Sequence, residues 1–475
     1  MHYDTPLFDA LINYSRQQKV PFHMPGHKQG QGIPDQFKKH IFDIDLTELP
    51  ETDNLHAPEG PVQKAQELAA TAFGAKYSFF LVNGSTCGIQ AMVATVCNPG
   101  DMLLVDRNCH SSVIYSLILC GVIPRYIYPD YITELGLVGG MDPRKVDEAF
   151  IQYPEAKGIL ITCPTYYGVC SDLEIIAQIA HRYGKILLVD EAHGAHFCFH
   201  ERLPQGALQA GADICVQSVH KTLPALTQSS LLHVNSDRIE LNRLKNCLKL
   251  FQSSSPSFVL MAYLDVARGI MQNSGQALLS NLIDWVDRLR CQINRNNKLY
   301  CLGKELIGKY HIKDIDLTRI VINTGKLGLT GYRAAMELNI RYNIQVEMAD
   351  LSNVVCITSV ADSEKQLKYL GKAINGIAPT AVEKDIKTIF AAPCIPRYAM
   401  APTKAFYTES ESIHIEKSEG RVCCDTITSF PPGIPILCPG EIISGDIVKY
   451  MLNIKACGGK VIGLTDELYI RVVKN

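Results

Sequence analysis

The sequence predicts an α/β protein whose largest unit is a doubly wound, mainly parallel sheet. Three observations carry that prediction. From about Gln63 to Asn235, short apolar runs alternate with stretches of helical apolar spacing. The runs are continuously apolar, as strands covered on both faces are. The alternation persists over many units, as when crossover helices join parallel strands. In such sheets ligands bind beyond the carboxyl ends of the strands. Chemistry is therefore to be sought just after each apolar run.

Taken in order, residues 1–50 form an N-terminal extension that no periodicity places. Residues 51–297 are assigned to the large domain. Its expected strands are "YSFFLV", "DMLLVD", "PRYIYP", "KGILITC", "KILLVDEA", "ADICVQS" and "SSLLHV". Its helices include "VQKAQELAATAFG", "CGIQAMVATVC" and "DLEIIAQIAHRYG", and it closes with a long helical region reaching about Asn297. Residues 298–383 mix strands and helices again and read as a smaller α/β domain. From about Lys384 the prolines of "APCIPRYAMAPTKAF" and "FPPGIPILCPGE" change the texture, and 384–475 reads as a C-terminal subdomain.

Composition narrows the function. A 475-residue chain with 47% hydrophobic and 20% charged residues fits a soluble globular protein of two or three domains. A net charge of −2 gives no general attraction to nucleic acid or an anionic membrane. No apolar stretch is long enough to span a bilayer, and the N-terminus lacks the pattern of a signal peptide. The 17 cysteines show neither framework nor metal spacing. Their apolar surroundings suit reduced thiols and a cytoplasmic location.

Four strand ends hold candidate residues, each with an ordinary alternative. After "YSFFLV", Gly84, Ser85 and Thr86 open a helix; hydroxyls and free N–H groups there can cradle a phosphate, or merely cap the helix. Asp190 ends an apolar strand, where a carboxylate wants a cation, a helix to cap or a buried ion pair. His193 and His196 follow it, but one segment alone is a poor metal site, and no metal is expected. His110 follows "DMLLVD" and reads equally as a structural hydrogen-bonder. Ser218, His220 and Lys221 follow "ADICVQ". A lone lysine is usually a solvated charge, yet an amine withdrawn from water becomes nucleophilic. Together the four supply an amine, an acid, a flat imidazole and a phosphate cradle on one rim. Pyridoxal 5'-phosphate needs that set for its aldehyde, ring nitrogen, ring face and phosphate.

The segments "FHMPGHKQG", "DLTELPETDNLHAPEGP", "FFLVNGSTCGIQA", "DRNCHSS", "CPTYYGVCSDL", "VDEAHGAHF", "QSVHKTLPALTQ" and "FPPGIPILCPGE" strongly resemble the bacterial ornithine/lysine/arginine decarboxylases. The resemblance covers nearly the whole chain, in order, and is closest to short members of arginine decarboxylase type. It implies pyridoxal phosphate fold type I, the aspartate aminotransferase fold, with smaller α/β C-terminal domains. It implies that Lys221 binds the cofactor covalently, Asp190 pairs with the ring nitrogen and His110 stacks on the ring. Gly84, Ser85, Thr86, Ser218 and His220 would hold the phosphate, and Ala192 and His193 would lie against the ring. Lys221 or His220 would return a proton to the substrate. The "SSSPS" run, with Ser255, resembles a segment that reaches a phosphate in a partner subunit, which implies a homodimer or higher homo-oligomer with shared sites. Glu441 in "CPGE" is expected near the substrate entrance, holding a distal cation.

The implied activity is decarboxylation of a basic L-amino acid: arginine to agmatine and CO₂, ahead of lysine to cadaverine or ornithine to putrescine. Asn54, Phe258, Phe430 and Thr403 depart from common family residues and bear on substrate identity. Two rivals stand beside this reading. One is an aminotransferase or other enzyme of the same fold, gripping the substrate carboxylate with Arg319, Arg333 or Arg341. The other is a regulatory pseudoenzyme.

Overall fold

The computed structural model describes residues 4–378, 395–430 and 433–474. All seven apolar runs become strands of one sheet: β1 Tyr77–Leu81, β2 Met102–Asp106, β3 Ile123–Ile127, β4 Gly158–Thr162, β5 Ile186–Asp190, β6 Ile214–Gln217 and β7 Ser230–Val234. Their order is β1-β7-β6-β5-β4-β2-β3. Only β7 runs against its neighbours, while the remaining pairs are parallel. β6 and β7 follow each other without a crossover, and the connection between them, residues 218–229, turns at the carboxyl rim.

Continuous apolarity in these strands has the expected cause. Leu103, Val105, Leu160, Leu188, Ile214 and Val216 face a layer made by α2 (Gly84–Val96), α3 (Ser111–Cys120) and α7 (Leu241–Phe251). The intervening Leu104, Ile159, Ile161, Leu187, Val189 and Cys215 face the opposite layer of α1 (Pro61–Phe73), α4 (Pro143–Gln152), α5 (Leu173–Arg182) and α8 (Phe258–Asn294). Alternate side chains thus enter different cores, so both faces are apolar, and the few buried polar residues bond one another, as Ser78, His233 and Gln217 do. The long helical region expected up to Asn297 is in fact α7 and α8, broken at "SSSPS". Pro256 cannot continue a helix, and Ser257 starts the next by accepting the Leu260 N–H at 3.3 Å.

A second sheet follows: β8 Tyr300–Cys301, β9 Arg319–Asn323, β10 Met348–Ala349 and β11 Asn353–Ile357, in the order β8-β9-β11-β10. Helices α9 (Gly331–Tyr342) and α10 (Glu364–Asn375) bury Ala334, Leu338, Leu367 and Leu370 in the same core as α8. The N-terminal extension finds its place here: Val20–Phe22 pairs in parallel with Ile344–Val346. The fully buried Lys28 ties it further, donating to the carbonyls of His23 at 2.9 Å and Ile357 at 2.8 Å. Beyond Arg397 a third set of short strands packs with helix Gly445–Ala456 around Ile415, Ile427, Leu437, Met451 and Ile470. The boundary expected near Lys384 lies outside the described residues, as do Pro431 and Pro432 of "FPPGIP". Among the described residues the buried cysteines are free thiols, and no helix is long and apolar enough to cross a membrane.

Helix α2 reaches the sheet closely because Gly88 has no side chain. A Cβ there would stand 2.6 Å from both Leu81 Cδ1 and Val216 Cγ2. Gly88→Ala should therefore force the helix outward and cost about 1–3 kcal/mol, as overpacking does. The urea midpoint of the variant should fall accordingly; an unchanged midpoint would contradict the close packing.

Candidate active site

The carboxyl ends of the parallel strands bring the predicted residues to one rim. β5 ends at Asp190, which is buried and accepts the Ala192 N–H at 3.1 Å. No other hydrogen bond reaches its carboxylate among the described residues. Burial raises its pKa, against the opposing pull of Lys221. β6 ends just before Ser218, whose hydroxyl donates to Ser85 Oγ at 2.9 Å. Helix α2, which carries Ser85 and Thr86, has no side-chain cap at Asn83; the Gly84 N–H donates to the Gln228 carbonyl at 3.0 Å, and the N–H groups that follow it are the ones placed to meet an anion. Gly84 turns the chain into the helix at φ +71, a left-handed conformation that favours glycine.

His220 and Lys221 lie on the one-turn helix α6 (Val219–Thr222). The N-terminal segment crosses directly above it: Gly26 N–H donates to the His220 carbonyl at 2.7 Å. A Cβ on Gly26 would stand 2.5 Å from the Leu223 carbonyl, so only glycine lets the two backbones meet. The His220 ring donates from Nδ1 to the Ser229 carbonyl at 2.9 Å, and burial lowers its pKa to about 4. Lys221 is partly buried, and its Nζ lies 3.2 Å from His193 Nε2. Burial lowers its pKa, and Arg319 adds to that, while Asp190 and Glu347 oppose it. His110 caps α3 by accepting the Ser112 N–H on Nδ1 at 3.2 Å. Its pKa is drawn down to about 4 by burial and then by Lys221.

Three further residues lie behind the lysine: Tyr166 and Glu347 were not assigned to the site from sequence, and Arg319 was named only as a carboxylate grip in the rival aminotransferase reading. Arg319, which opens β9, donates from Nη2 to His193 Nδ1 at 3.1 Å. Tyr166 packs edge-on against His193, ring centroids 4.5 Å apart. Its hydroxyl donates to Glu347 Oε1 at 2.7 Å. Tyr166 stood in the quoted "CPTYYGV", and Arg319 is a charge at the head of the apolar run "RIVIN". Those were the available signals.

Two expected residues lie away from this rim: Glu441, and Ser255, which was expected at a partner subunit's phosphate. Glu441 is fully buried and takes Arg107 bidentately, at 3.0 Å to Oε1 and 2.9 Å to Oε2, with the Cys438 N–H at 2.7 Å. The carboxylate expected at a substrate's distal cation is instead an internal ion pair that fastens the C-terminal strands to the end of β2. Ser255 is exposed, its N–H bonded to Ser253 Oγ at 3.1 Å, and makes no contact with the cradle of its own chain. His196 serves Thr318 and Asp316 at 3.0 and 3.3 Å, away from His193's partners. Among the described residues no group of three or more metal-ligating side chains is arranged to hold an ion.

The rim fits pyridoxal phosphate. It offers a withdrawn amine with no carboxylate bonded to it, a buried carboxylate with no cation bonded to it, and an uncapped helix start beside two facing hydroxyls.

The comparisons with known proteins agree. Residues 5–366 match the family described as Orn/Lys/Arg decarboxylase, major domain, and residues 383–469 match its C-terminal domain. The chain is 40% identical over 481 residues to an arginine decarboxylase of Bacillus anthracis, covering 99% of this chain and 98% of that one. Its fold is similar to that of the Francisella novicida lysine decarboxylase LdcF, with a TM-score of 0.81 at 19% identity, over 100% of this chain and 79% of that one. It is also similar to an alanine–glyoxylate aminotransferase of Nostoc, TM-score 0.58 at 14% identity, over 75% of this chain and 94% of that one. The architecture is that of fold type I.

Buried histidines with lowered pKa, His110 and His220 among them, weaken the fold at acid pH. For His110 the ordinary value is 6.5 and the folded value about 4. Between these the unfolded chain binds a proton that the folded chain refuses, so stability is lost as pH falls through that window. His110→Phe removes one such ring. Its urea midpoint plotted against pH should be flatter than wild type there, by at most about 1.4 kcal/mol per pH unit. Loss of the helix cap shifts the whole curve but not its slope, so an unchanged slope would count against a buried neutral ring.

Proposed function

The chain belongs to the Orn/Lys/Arg decarboxylase family, and from that premise we propose that it removes the α-carboxyl group of L-arginine, giving agmatine and CO₂, with pyridoxal 5'-phosphate as cofactor. The observation that carries this reading is the withdrawn amine of Lys221 on the same rim as Asp190, His110 and the Ser85–Ser218 cradle. The full-length likeness to the Bacillus anthracis arginine decarboxylase supports arginine over lysine and ornithine.

Lys221 would hold the cofactor's aldehyde through its amine, and Asp190 its ring nitrogen. His110 would lie on the ring face, and Ser85, Thr86 and Ser218 would hold the phosphate. When bound, the cofactor supplies an electron sink for the pair released as the carboxylate bond breaks. The remaining work falls to the chain. Burial around Asp190 and His193 keeps water from the site, so the substrate carboxylate is held in a medium that solvates it poorly. The proton returned to Cα is assigned to Lys221 rather than His220. His220 has its one N–H committed to the Ser229 carbonyl and is neutral at physiological pH, which leaves Nε2 bare. A lysine whose ammonium form is disfavoured by burial gives up a proton more readily than an exposed one.

The assembly we propose is a homodimer or larger homo-oligomer in the cytoplasm. Leu7, Phe8 and Leu11 on the helix Pro6–Arg16 are 73%, 63% and 60% exposed, and Phe42 is 90% exposed. Apolar residues of that size so far in the open are best explained by a covering subunit. The exposed "SSSPS" turn supports a contribution of Ser255 to the partner's phosphate site. Buried free thiols among the described residues support a reducing compartment.

Two measurements test the reading. Given arginine, lysine and ornithine together, the enzyme should release agmatine as its main amine; cadaverine or putrescine in excess would overturn the substrate, and keto-acid formation would overturn the reaction. Lys221→Ala, refolded with the cofactor and desalted, should be colourless and release no CO₂. Retention of both colour and turnover would remove Lys221 from its role.

A further inference from the structure

Arg319 is 2% exposed, yet it forms no ion pair among the described residues. Its Nε and Nη1 have no hydrogen-bond partner. Its one bond is from Nη2 to His193 Nδ1, at 3.1 Å. The stem is fixed by the absence of a side chain at Gly168, where a Cβ would lie 2.9 Å from Arg319 Cβ. The Asp316 carboxylate feels the Arg319 charge but bonds His196 and Thr318 instead, and a buried guanidinium with no carboxylate bonded to it is costly. It is also an unequivocal donor, since arginine neither accepts a hydrogen bond nor loses its proton.

His193 therefore stands between two nitrogens, Arg319 Nη2 and Lys221 Nζ. A neutral imidazole has one acceptor nitrogen and one donor. Arg319 claims the acceptor at Nδ1, so the ring proton must sit on Nε2. Lys221 Nζ, 3.2 Å from Nε2, must accept that proton's hydrogen bond. An ammonium group has no lone pair to accept with; an amine has one.

Resting on the reading of Lys221 given above, we propose that Arg319 is a positioning residue. By donating to His193 Nδ1 it fixes the imidazole proton on Nε2, and that proton holds the Lys221 side chain as an unprotonated amine, ready to bond a carbonyl carbon.

The groups around the lysine do not all favour this state. Asp190 and Glu347 favour the ammonium form, and Arg319 opposes it, as does burial. His110 and His220 are both drawn toward their neutral forms, and Tyr166 turns its hydroxyl to Glu347. Among the described residues no neighbour other than Arg319 dictates the position of the His193 proton. The direction of the His193 shift agrees: burial lowers its pKa, followed by Lys221 and Arg319, so the ring is neutral.

The test uses the full chain with cofactor removed. Acylation of Lys221 by an amine-reactive ester is followed against pH and quantified on its peptide by mass spectrometry. Arg319→Met should move the labelling midpoint upward by about one pH unit, which is about tenfold slower labelling below the midpoint. His193→Phe, which keeps the guanidinium but cuts the relay, should move it in the same direction. The double variant should fall short of the sum of the singles, as expected of residues acting in series, apart from the part that Arg319's own charge supplies. Arg319→Lys retains a cationic donor and should stay nearer to wild type; it serves where Arg319→Met does not fold. An unchanged midpoint in Arg319→Met overturns the proposal. So does a shift in Arg319→Met with none in His193→Phe, which would mean that Arg319 acts by charge alone. The parent reading fails separately: borohydride trapping of added pyridoxal phosphate in the wild-type chain would then label a residue other than Lys221.

Discussion

A lysine amine withdrawn from water with no carboxylate bonded to it is the constraint on which the rim depends. An ammonium group in that setting loses hydration without a compensating ion pair, which costs several kcal/mol. The surroundings answer by removing charge rather than pairing it. The same burial leaves His110 and His220 neutral and raises the pKa of Asp190. Burial thus disfavours charge on every titratable group of the rim, and strong charge is left for a ligand to bring. A phosphate dianion and a protonated ring nitrogen are charges of the kind that the uncapped start of α2 and the lone carboxylate of Asp190 can receive.

Keeping water out of such a rim takes more than the sheet that carries it. The second sheet supplies Arg319 to His193, and the segment before it supplies Met24, whose N–H donates to Glu347 at 2.9 Å. Glu347 in turn orders Tyr166 against His193. Tyr167 reaches in the same way to Asp350, at 2.6 Å. On the other flank the Arg107–Glu441 pair fixes the C-terminal strands over the end of β2. Replacing one member of a buried pair strands the other charge, so this fastening is strong even though Glu441 is spent on it. Its commitment to Arg107 also explains why that carboxylate cannot serve as a free anion for a substrate's cation within its own subunit.

The legible parts of the sequence were those governed by local rules. All seven strands of the main sheet could be read because burial on both faces favours runs of apolar residues, whatever the strand order. Lys221, Asp190, His110 and the Ser85 turn could be read because each follows a strand, and the carboxyl-rim rule converts that position into proximity. The break between α7 and α8 followed from Pro256 and Ser257 but was masked by strong helical spacing on either side. The pairing of Val20–Phe22 with Ile344–Val346 joins residues more than three hundred positions apart, and nothing in a three-residue strand announces its partner.

The contrast between Lys221 and Arg319 shows where this kind of reading stops. Lys221 acts through chemistry that its own neighbourhood supplies, so motif and position together expose it. Arg319 acts through an imidazole delivered by another sheet, and its meaning lies in the hydrogen-bond inventory of three side chains. A charged residue at the head of "RIVIN" is unremarkable as sequence. It becomes informative only when the fold shows that it is buried, that two of its nitrogens are idle, and that the third decides which nitrogen of His193 holds a proton. Residues that bond a ligand tend to sit where local rules place them. Residues that set the protonation of those groups are placed by tertiary packing, and donors and acceptors must be counted to find them.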